Sequence, residues 1–207
     1  MNASYQRRKA DRPEEILNAA LDVFVRDGYD ASRLADIAAE AGVSKGLLYH
    51  YFDSKEALFR AVVEQEVTPR LEEMTRLIGQ LEIPIAQFMK QMLPELMAAV
   101  LASRAGVVIR LVIANGAQHP EITRYYFDNI IARGEAMLKA LIQRGVDNGE
   151  FRESALQTQP MLLMAPAILC QVWGMLFGEY RALDNAALLR EHMGLMVSAV
   201  ETQATTP

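Results

Sequence analysis

The chain contains little of what secreted, membrane-spanning or charge-driven proteins depend on. Among its 207 residues there is one cysteine, Cys170, so an intrachain disulfide is excluded and a reducing compartment is favoured. The most apolar run, residues 161–170, contains Pro166 and falls short of the roughly 20 residues that cross a bilayer. The N-terminus lacks the apolar stretch of a secretion signal. These absences predict a cytoplasmic protein without a membrane partner.

Positive charge is not in excess either. The chain has 21 Lys and Arg against 26 Asp and Glu, and a pI near 5.3. Even residues 1–60 carry nine basic and ten acidic side chains. This balance excludes a partner held by bulk electrostatic attraction, so any nucleic-acid binding must depend on the placement of individual charges. The basic residues with suggestive placement are Arg7, Arg8, Lys9, Arg12, Arg33, Lys45 and Lys55.

Strand-like alternation is absent as well, whereas apolar residues at helical spacing recur in every long segment. The pattern predicts an all-α protein. Asp11 with Glu14, and Asp53 with Glu56, have the spacing of capping boxes that start helices. Pro69 is expected to kink or split the helix that follows Asp53. Beyond it, helices are predicted at about 84–102, 104–116, 119–147, 155–180 and 185–202.

Residues 33–52, "RLADIAAEAGVSKGLLYHYF", have the layout of a helix-turn-helix. Gly42 suits the turn because it takes positive φ without steric cost. In the second helix Val43, Leu48 and Phe52 can face the core. The remaining side chains would then point outward: Lys45, Gly46, Leu47, Tyr49, His50 and Tyr51. Two tyrosines and a leucine are costly on a bare surface, but they suit a helix that enters a DNA groove.

The stretch "ILNAALDVFVRDGYDASRLADIAAEAGVSKGLLYHYFDSKEALF" closely resembles the N-terminal domain of the TetR/AcrR family of transcriptional regulators. The resemblance covers residues 10–62 and includes the Gly-Val-Ser turn and the Tyr-x-Tyr-Phe-x-x-Lys ending. It implies a nine-helix homodimer with a three-helix DNA-binding head at residues 1–53. Residues 54–207 would form a helical body that binds an effector and dimerises. It also implies a palindromic operator and, in the family's usual sense, repression.

Carried over by position, the resemblance assigns base-edge contacts to residues of the second helix: Lys45, Gly46, Leu47 and Tyr49. His50, Tyr51 and Lys55 would hold phosphates. Ser32 and Arg33, at the start of the preceding helix, would contact the DNA backbone. Ser44, which begins the recognition helix, is also a predicted DNA-binding residue. Many members of the family have Thr where this chain has Leu47. Leucine cannot donate a hydrogen bond but can pack on a thymine methyl group.

The last two predicted helices are apolar over wide faces. The segment "ALQTQPMLLMAPAILCQVWGMLFGEY" is apolar on nearly all sides, so it must be covered on both flanks. The chain's own body can cover one flank, and a second copy would cover the other. The resemblance implies the same dimer, built from the last two helices of each subunit. Two-fold symmetry would place two recognition helices about 34 Å apart. A monomer with a fully wrapped helix is the alternative.

An effector pocket is expected between the body helices. Its predicted lining is Phe88, Met92, Leu96, Val107, Arg110, Leu111, Phe127, Ile131, Met164, Ile168 and Trp173. Further polar members are Asn115, Gln118, His119, Tyr126 and Gln171, with a helix cap as the competing role of His119. Such residues can equally be plain core. Effector binding is expected to move the helix that holds Pro69 and so to change the separation of the two heads.

No enzyme signature is present. The three histidines are far apart in sequence, and no P-loop, GxGxxG after a strand or GxSxG occurs. We therefore expect no catalytic residue, no cofactor and no metal site, and an inert thiol at Cys170. Two alternatives remain: a helix-turn-helix that docks a protein, and a helical module that binds a small molecule without a DNA partner.

Overall fold

The computed structural model describes residues 3–202, with side chains from Arg12 onward. Counting residues 55–79 as one bent helix, the described residues form nine helices and no strand beyond an isolated bridge between Phe151 and Glu201. The predicted all-α, nine-helix architecture is confirmed. The basic side chains of Arg7, Arg8 and Lys9 lie outside the described residues.

The nine helices are, in chain order, α1 (Ala3–Asp27), α2 (Leu34–Glu40), α3 (Lys45–Tyr51), α4 (Lys55–Glu66 and Thr68–Gly79), α5 (Ile85–Ala102), α6 (Arg104–Asn115), α7 (120–147), α8 (Met161–Phe177) and α9 (Asn185–Val200). A 3₁₀ turn, Glu153–Gln157, precedes α8. The predicted α8 began at residue 155; that segment folds as the 3₁₀ turn, so the α-helix starts six residues later.

Two helices contain a π-helical turn, Phe88–Met92 in α5 and Phe127–Ile131 in α7. The first lies immediately before Leu93 and Pro94. A proline lacks the N–H of a helical ladder and crowds the carbonyl four residues earlier, so a wider turn at that point is a direct response to Pro94. In α4 the break falls at Val67, two residues before Pro69, which confirms the predicted split.

Helix starts correct two of the sequence predictions. Asp11 does not cap α1, because the helix begins at Ala3 and runs through Asp11 and Pro13. The residues before Asp11 include good helix formers, which allow the earlier start. The α4 helix is capped by Ser54 and not by Asp53: the Ser54 Oγ accepts a hydrogen bond from the amide of Ala57 at 3.0 Å.

The chain divides into two compact units. The first consists of residues 1–69 and 107–127. Its core is formed by apolar side chains of α1 to α4, including Ile16, Ala20, Val23, Phe24, Ile37, Leu48, Phe59 and Val62. Phe24, Tyr29 and Phe59 form an aromatic cluster with ring centroids 5.4–5.8 Å apart. Gly28 follows the last residue of α1 with a φ of +80°, a left-handed conformation that glycine adopts without steric cost.

The second unit consists of residues 70–106 and 128–207. Its buried side chains come from α5, α7, α8 and α9, and include Phe88, Met89, Leu93, Leu138, Leu141, Leu163, Leu189, Met193 and Val197. The Lys90 ammonium pairs with the Glu201 carboxylate at 2.6 Å and fastens the end of α9 to α5. The predicted functional boundary at residue 53 differs from this division, because residues 107–127 pack with the head.

Within residues 3–202, no single helix is both long and apolar enough to cross a membrane. One bent pair, Ile85–Ala102 with Arg104–Asn115, reaches that length and composition jointly.

Candidate nucleic-acid interface and effector region

The helix-turn-helix forms as the sequence predicts. Gly42 adopts a φ of +63°, and the amide of Val43 donates to the carbonyl of Ala38 at 2.9 Å, which closes the turn after α2. Ser44 then caps α3, its Oγ accepting from the amide of Leu47 at 3.2 Å. Leu48 is fully buried and fixes the roll of α3 against the core. The opposite face of α3 is thereby presented outward.

The outward face of α3 carries most of the predicted DNA-contacting side chains. Lys45, Gly46, Tyr49 and His50 are exposed, while Leu47 and Tyr51 are half-buried. The Lys45 ammonium lies 5.7 Å from the centroid of the Tyr49 ring, and the His50 and Tyr51 rings are 5.3 Å apart. Cations beside aromatic rings can contact phosphates and base edges together. The orientation of these residues fits the expectation, and their DNA contacts stay predictions.

Two other residues predicted to contact DNA, Ser32 and Lys55, make hydrogen bonds within the protein instead. Ser32 is buried, and its Oγ donates to the carbonyl of Gly28 at 2.5 Å. The Lys55 Nζ donates to the carbonyls of Tyr29 at 2.5 Å, Asp30 at 3.1 Å and Ser32 at 3.2 Å. Burial lowers the pKa of the Lys55 ammonium. These side chains build the turn before α2, whereas Arg33, the N-cap of α2, is exposed.

Sequence reasoning missed the contacts of this turn with His119. The His119 Nε2 lies 2.5 Å from Asp30 Oδ1, and its Nδ1 lies 3.2 Å from Glu121 Oε1. Its ring meets the ring of Tyr29 edge to face at 4.7 Å. His119 does occupy the N-cap position of α7, but its side chain makes no capping bond. Because 89 residues separate His119 from Asp30, no local pattern indicates the contact.

The residues predicted to line the effector pocket, called the effector region below, differ in how far they are buried. In the second unit Phe88 is fully buried, Met92 and Ile168 are about 40% exposed, and the others are half-buried: Leu96, Ile131, Met164 and Trp173. In the first unit Leu111 is buried, Val107 and Arg110 are half-buried, and Phe127 is exposed. Four of these residues, Phe88, Met92, Phe127 and Ile131, lie in the two π-helical turns. Their effector contacts stay predictions.

The polar members of that set differ in whether they already have partners. The Trp173 Nε1 donates to the Arg181 carbonyl at 2.8 Å, and the Arg181 guanidinium lies 4.9 Å from the indole. The buried Gln171 Nε2 donates to the Leu101 carbonyl at 3.4 Å. Tyr126 is 7% exposed, and its hydroxyl has no hydrogen-bond partner within the described part of the chain. Burial raises the pKa of this phenol, so it is a neutral donor.

A small, partly open cavity in the second unit lies among residues that the sequence did not single out. It has a volume of about 10 Å³, close to the space of one water molecule. Its lining is Met89, Ile142, Phe151, Ala155, Thr158, Leu163, Met196 and Val200. As it stands, this cavity has room for about one water molecule and none for an organic effector.

Helix α8 presents a continuous apolar stripe outward. Two rows at seven-residue spacing lie side by side, Met161, Ile168 and Met175 in one and Leu162, Leu169 and Leu176 in the other, and all six are exposed. Leu195 of α9 is 74% exposed. Buried residues on the other side of α8, among them Leu163, Ala167 and Cys170, pack into the unit. The sequence prediction that one flank is covered by the chain itself is confirmed.

Two other kinds of group can carry chemistry: the thiol of Cys170 and clusters of metal-binding side chains. Cys170 is buried, and burial raises the pKa of its thiol, which keeps it protonated. Among the described side chains, which begin at Arg12, no three from His, Cys, Asp or Glu lie close enough together to hold a metal ion.

Comparisons with known proteins agree with this geometry. Residues 16–62 match the model of bacterial regulatory proteins of the tetR family, and residues 87–192, just over half of the chain, match the AefR-like transcriptional repressor C-terminal domain. The chain is 28% identical over 163 residues to the uncharacterized HTH-type transcriptional regulator YfiR of Bacillus subtilis, covering 78% of this chain and 76% of the relative.

Solved structures share the whole fold. The complex of SmeT with triclosan superposes with a TM-score of 0.78 at 19% identity, covering 95% of this chain and 94% of the other. A TetR transcription regulator from Haloarcula marismortui gives a TM-score of 0.73 at 18% identity, covering 93% and 100%. The fold and the helix-turn-helix define a DNA-binding transcriptional regulator. The chain belongs to the TetR family of transcriptional regulators, whose members and structural neighbours are regulators and not enzymes.

Proposed function

We propose that this regulator is a repressor that binds a palindromic operator as a homodimer and is released by a small apolar effector. The observation that carries the DNA-binding part is the outward face of α3, with Lys45, Tyr49 and His50 exposed over a buried Leu48. Within this proposal, residues 1–53 bind DNA and residues 54–207 bind the effector and dimerise. The repressor sense is supported by the AefR-like repressor match.

The homodimer is supported by the stripe on α8. Six apolar side chains at seven-residue spacing have the pattern of a helix that packs on another helix, and their exposure in one chain leaves them in water. A second copy covers the stripe with the same stripe, because a two-fold interface pairs a patch with itself. The dimer then places two α3 helices for successive major grooves of a palindrome.

Selection from random duplexes at one fixed salt concentration tests the DNA-binding part. We expect enrichment of a palindrome whose half-sites are about one helical turn apart, and binding that weakens as salt rises. At each half-site, Leu47 predicts a thymine whose methyl group is contacted. Failure to enrich any sequence across a range of salt would leave the alternative, a helical binding module without a DNA partner.

The apolar effector is supported by the side chains of the effector region, which are chiefly Leu, Ile, Val, Met and Phe. The related fold of SmeT is solved with triclosan, a small organic molecule. Tyr126, buried and with an unpartnered hydroxyl in the described residues, supplies a donor for a carbonyl or carboxylate of the effector. Polar groups of this kind orient ligands in mostly apolar sites.

A screen of apolar metabolites and drugs for thermal stabilisation tests this part. A ligand at about 100 times its Kd stabilises the folded chain by about 2.7 kcal/mol. A genuine effector stabilises wild type, stabilises Tyr126→Phe less, and releases the operator. Release requires that the effector prefers the non-binding state, by about 2.7 kcal/mol for a hundredfold loss of affinity. Pro69→Ala then tests the predicted movement of α4: unchanged affinity and unchanged release would exclude a role for Pro69.

A further inference from the structure

His119 has a hydrogen-bonding arrangement that a neutral histidine cannot satisfy. Its two ring nitrogens face two carboxylates, Asp30 at 2.5 Å and Glu121 at 3.2 Å. Carboxylates only accept hydrogen bonds, and a neutral imidazole carries one N–H. The second nitrogen would then direct its lone pair at a carboxylate oxygen. Both contacts are favourable only when the ring is an imidazolium, which donates from both nitrogens.

The charged groups around His119 come from each element that contacts it. The turn after α1 supplies Asp30 and the phenol of Tyr29, and α7 supplies Glu121. From α4, the Lys55 ammonium lies 4.4 Å from the Tyr29 ring, and Glu56 acts electrostatically on the same phenol. The pKa of Tyr29 is raised to about 12, chiefly by burial, so Tyr29 stays neutral at physiological pH. The His119 side chain is 20% exposed, whereas the side chains of Asp30 and Glu121 are 60% and 40% exposed.

The turn that His119 contacts sets the start of the helix-turn-helix. Ser32 donates from its amide to the Gly28 carbonyl at 3.2 Å, and α2 begins two residues later. The amides of Asp36 and Ile37 bond to the Arg33 carbonyl at 3.0 Å and 3.2 Å. A turn held in one conformation therefore fixes where α2 starts and, through the turn at Gly42, how α3 is presented.

We propose that His119 is a positioning residue for DNA binding: as an imidazolium it bridges Asp30 and Glu121 and so fixes the turn on which α2 begins. This inference rests on the proposed function for its operator measurement but not for its structural measurements. The bridge exists only while the ring carries both protons, because each nitrogen then donates to one carboxylate. Specific operator affinity is highest when the bridge is intact.

The first measurement needs no DNA. At about pH 6, imidazole ¹⁵N spectra of the full chain should show both His119 nitrogens protonated. In His119→Gln, hydrogen exchange of the Ser32, Asp36 and Ile37 amides should quicken about tenfold, while α9 amides keep their rates. A single neutral tautomer in wild type, or unchanged exchange in the variant, overturns the proposal.

The second measurement is affinity for the selected operator. We expect His119→Gln to bind the operator about tenfold more weakly than wild type under the conditions in which the ¹⁵N spectra show the doubly protonated ring. Gln143→Ala, which changes an exposed glutamine of the second unit, should bind the operator like wild type. No loss of affinity in His119→Gln contradicts the bridge.

A double-mutant cycle distinguishes the bridge from a general loss of folding. Asp30→Asn keeps the histidine, and it should weaken operator binding to the same degree as His119→Gln. The double variant should be no weaker than His119→Gln alone, because Asp30 acts through the contact with His119 that this variant already lacks. Additive losses overturn the proposal. If wild type binds no duplex, the proposed function fails, and the ¹⁵N and exchange results still decide the bridge.

Discussion

Helices α3 and α8 both expose apolar side chains, and they differ in the residues that surround them. On α3, Tyr49 and Leu47 stand among Lys45 and His50, so apolar contact is mixed with charge and ring nitrogens. On α8, the six-residue stripe contains Leu, Met and Ile without a charge. A charged polymer such as DNA requires the first mixture, whereas a second protein surface requires the second. The residues that surround the apolar side chains therefore indicate which kind of partner each helix face binds.

The largest expected effect is the loss of dimer association when the apolar stripe of α8 is disrupted. Leu169→Glu places one carboxylate from each copy in the proposed interface, where an unpaired charge costs several kcal/mol. We expect the dimer to dissociate at least about 100-fold more readily, which is about 2.7 kcal/mol, measured by sedimentation.

Leu156 offers a matched control for that variant. It is 48% exposed, as Leu169 is, but lies in the 3₁₀ turn outside the stripe. Leu156→Glu should leave the association unchanged. Equal weakening by both variants would point to general destabilisation and against the stripe as the interface.

The next largest expected effect is a loss of operator affinity when the outward face of α3 is changed. Tyr49→Ala removes an aromatic ring from the proposed groove contact, and we expect operator affinity to fall about 10- to 100-fold. Tyr180, which is 87% exposed on the loop after α8, is the control tyrosine. Fluorescence anisotropy at one salt concentration measures both, and Tyr180→Ala should bind the operator as wild type does.

The helix-turn-helix was largely predictable because its signals are local. Gly42 in the turn, Ser44 at the cap and Leu48 toward the core follow from residues within ten positions of one another. Lys55 shows the limit of that reasoning. A basic residue near the motif looks like a phosphate contact, but three carbonyls brought together by the turn at residues 29–32 hold its ammonium.

The effector region was less predictable. Helical periodicity predicts which apolar residues share a helix face, but it does not predict which of them border a ligand. Met92 and Phe88 are four residues apart, yet one is exposed and the other is buried. The π-helical turn at Phe88–Met92 shifts the register between them, and no periodicity of 3.6 residues anticipates such a shift. Likewise, the pairing of His119 with Asp30 depends on tertiary packing.

A smaller effect concerns the positive charge on the outward face of α3. Lys45→Ala removes one proposed phosphate contact, so the slope of log affinity against log salt should become shallower by about 1. Lys139 on α7, an exposed lysine paired with Glu135, is the control. An unchanged slope for Lys45→Ala would mean that its ammonium does not approach the DNA.

The smallest effect concerns the two neighbouring tyrosines of α7. The Tyr125 hydroxyl donates to Glu64 at 2.6 Å, whereas that of Tyr126 has no partner in the described residues. Tyr125→Phe should lower the free energy of unfolding by about 1 kcal/mol, and Tyr126→Phe should change it by less than about 0.5 kcal/mol. Urea unfolding measures both. A large loss in Tyr126→Phe would show that its hydroxyl is already used and is not free for an effector.

The central claim is that α3 reads DNA and that α8 pairs the two copies which read it together. The most direct measurement is the stoichiometry and affinity of wild type on the selected full palindrome and on one half-site, at the same salt. The account predicts two chains on the full site and at least about 100-fold tighter binding there than on the half-site. One chain per duplex with equal affinity for both would contradict it.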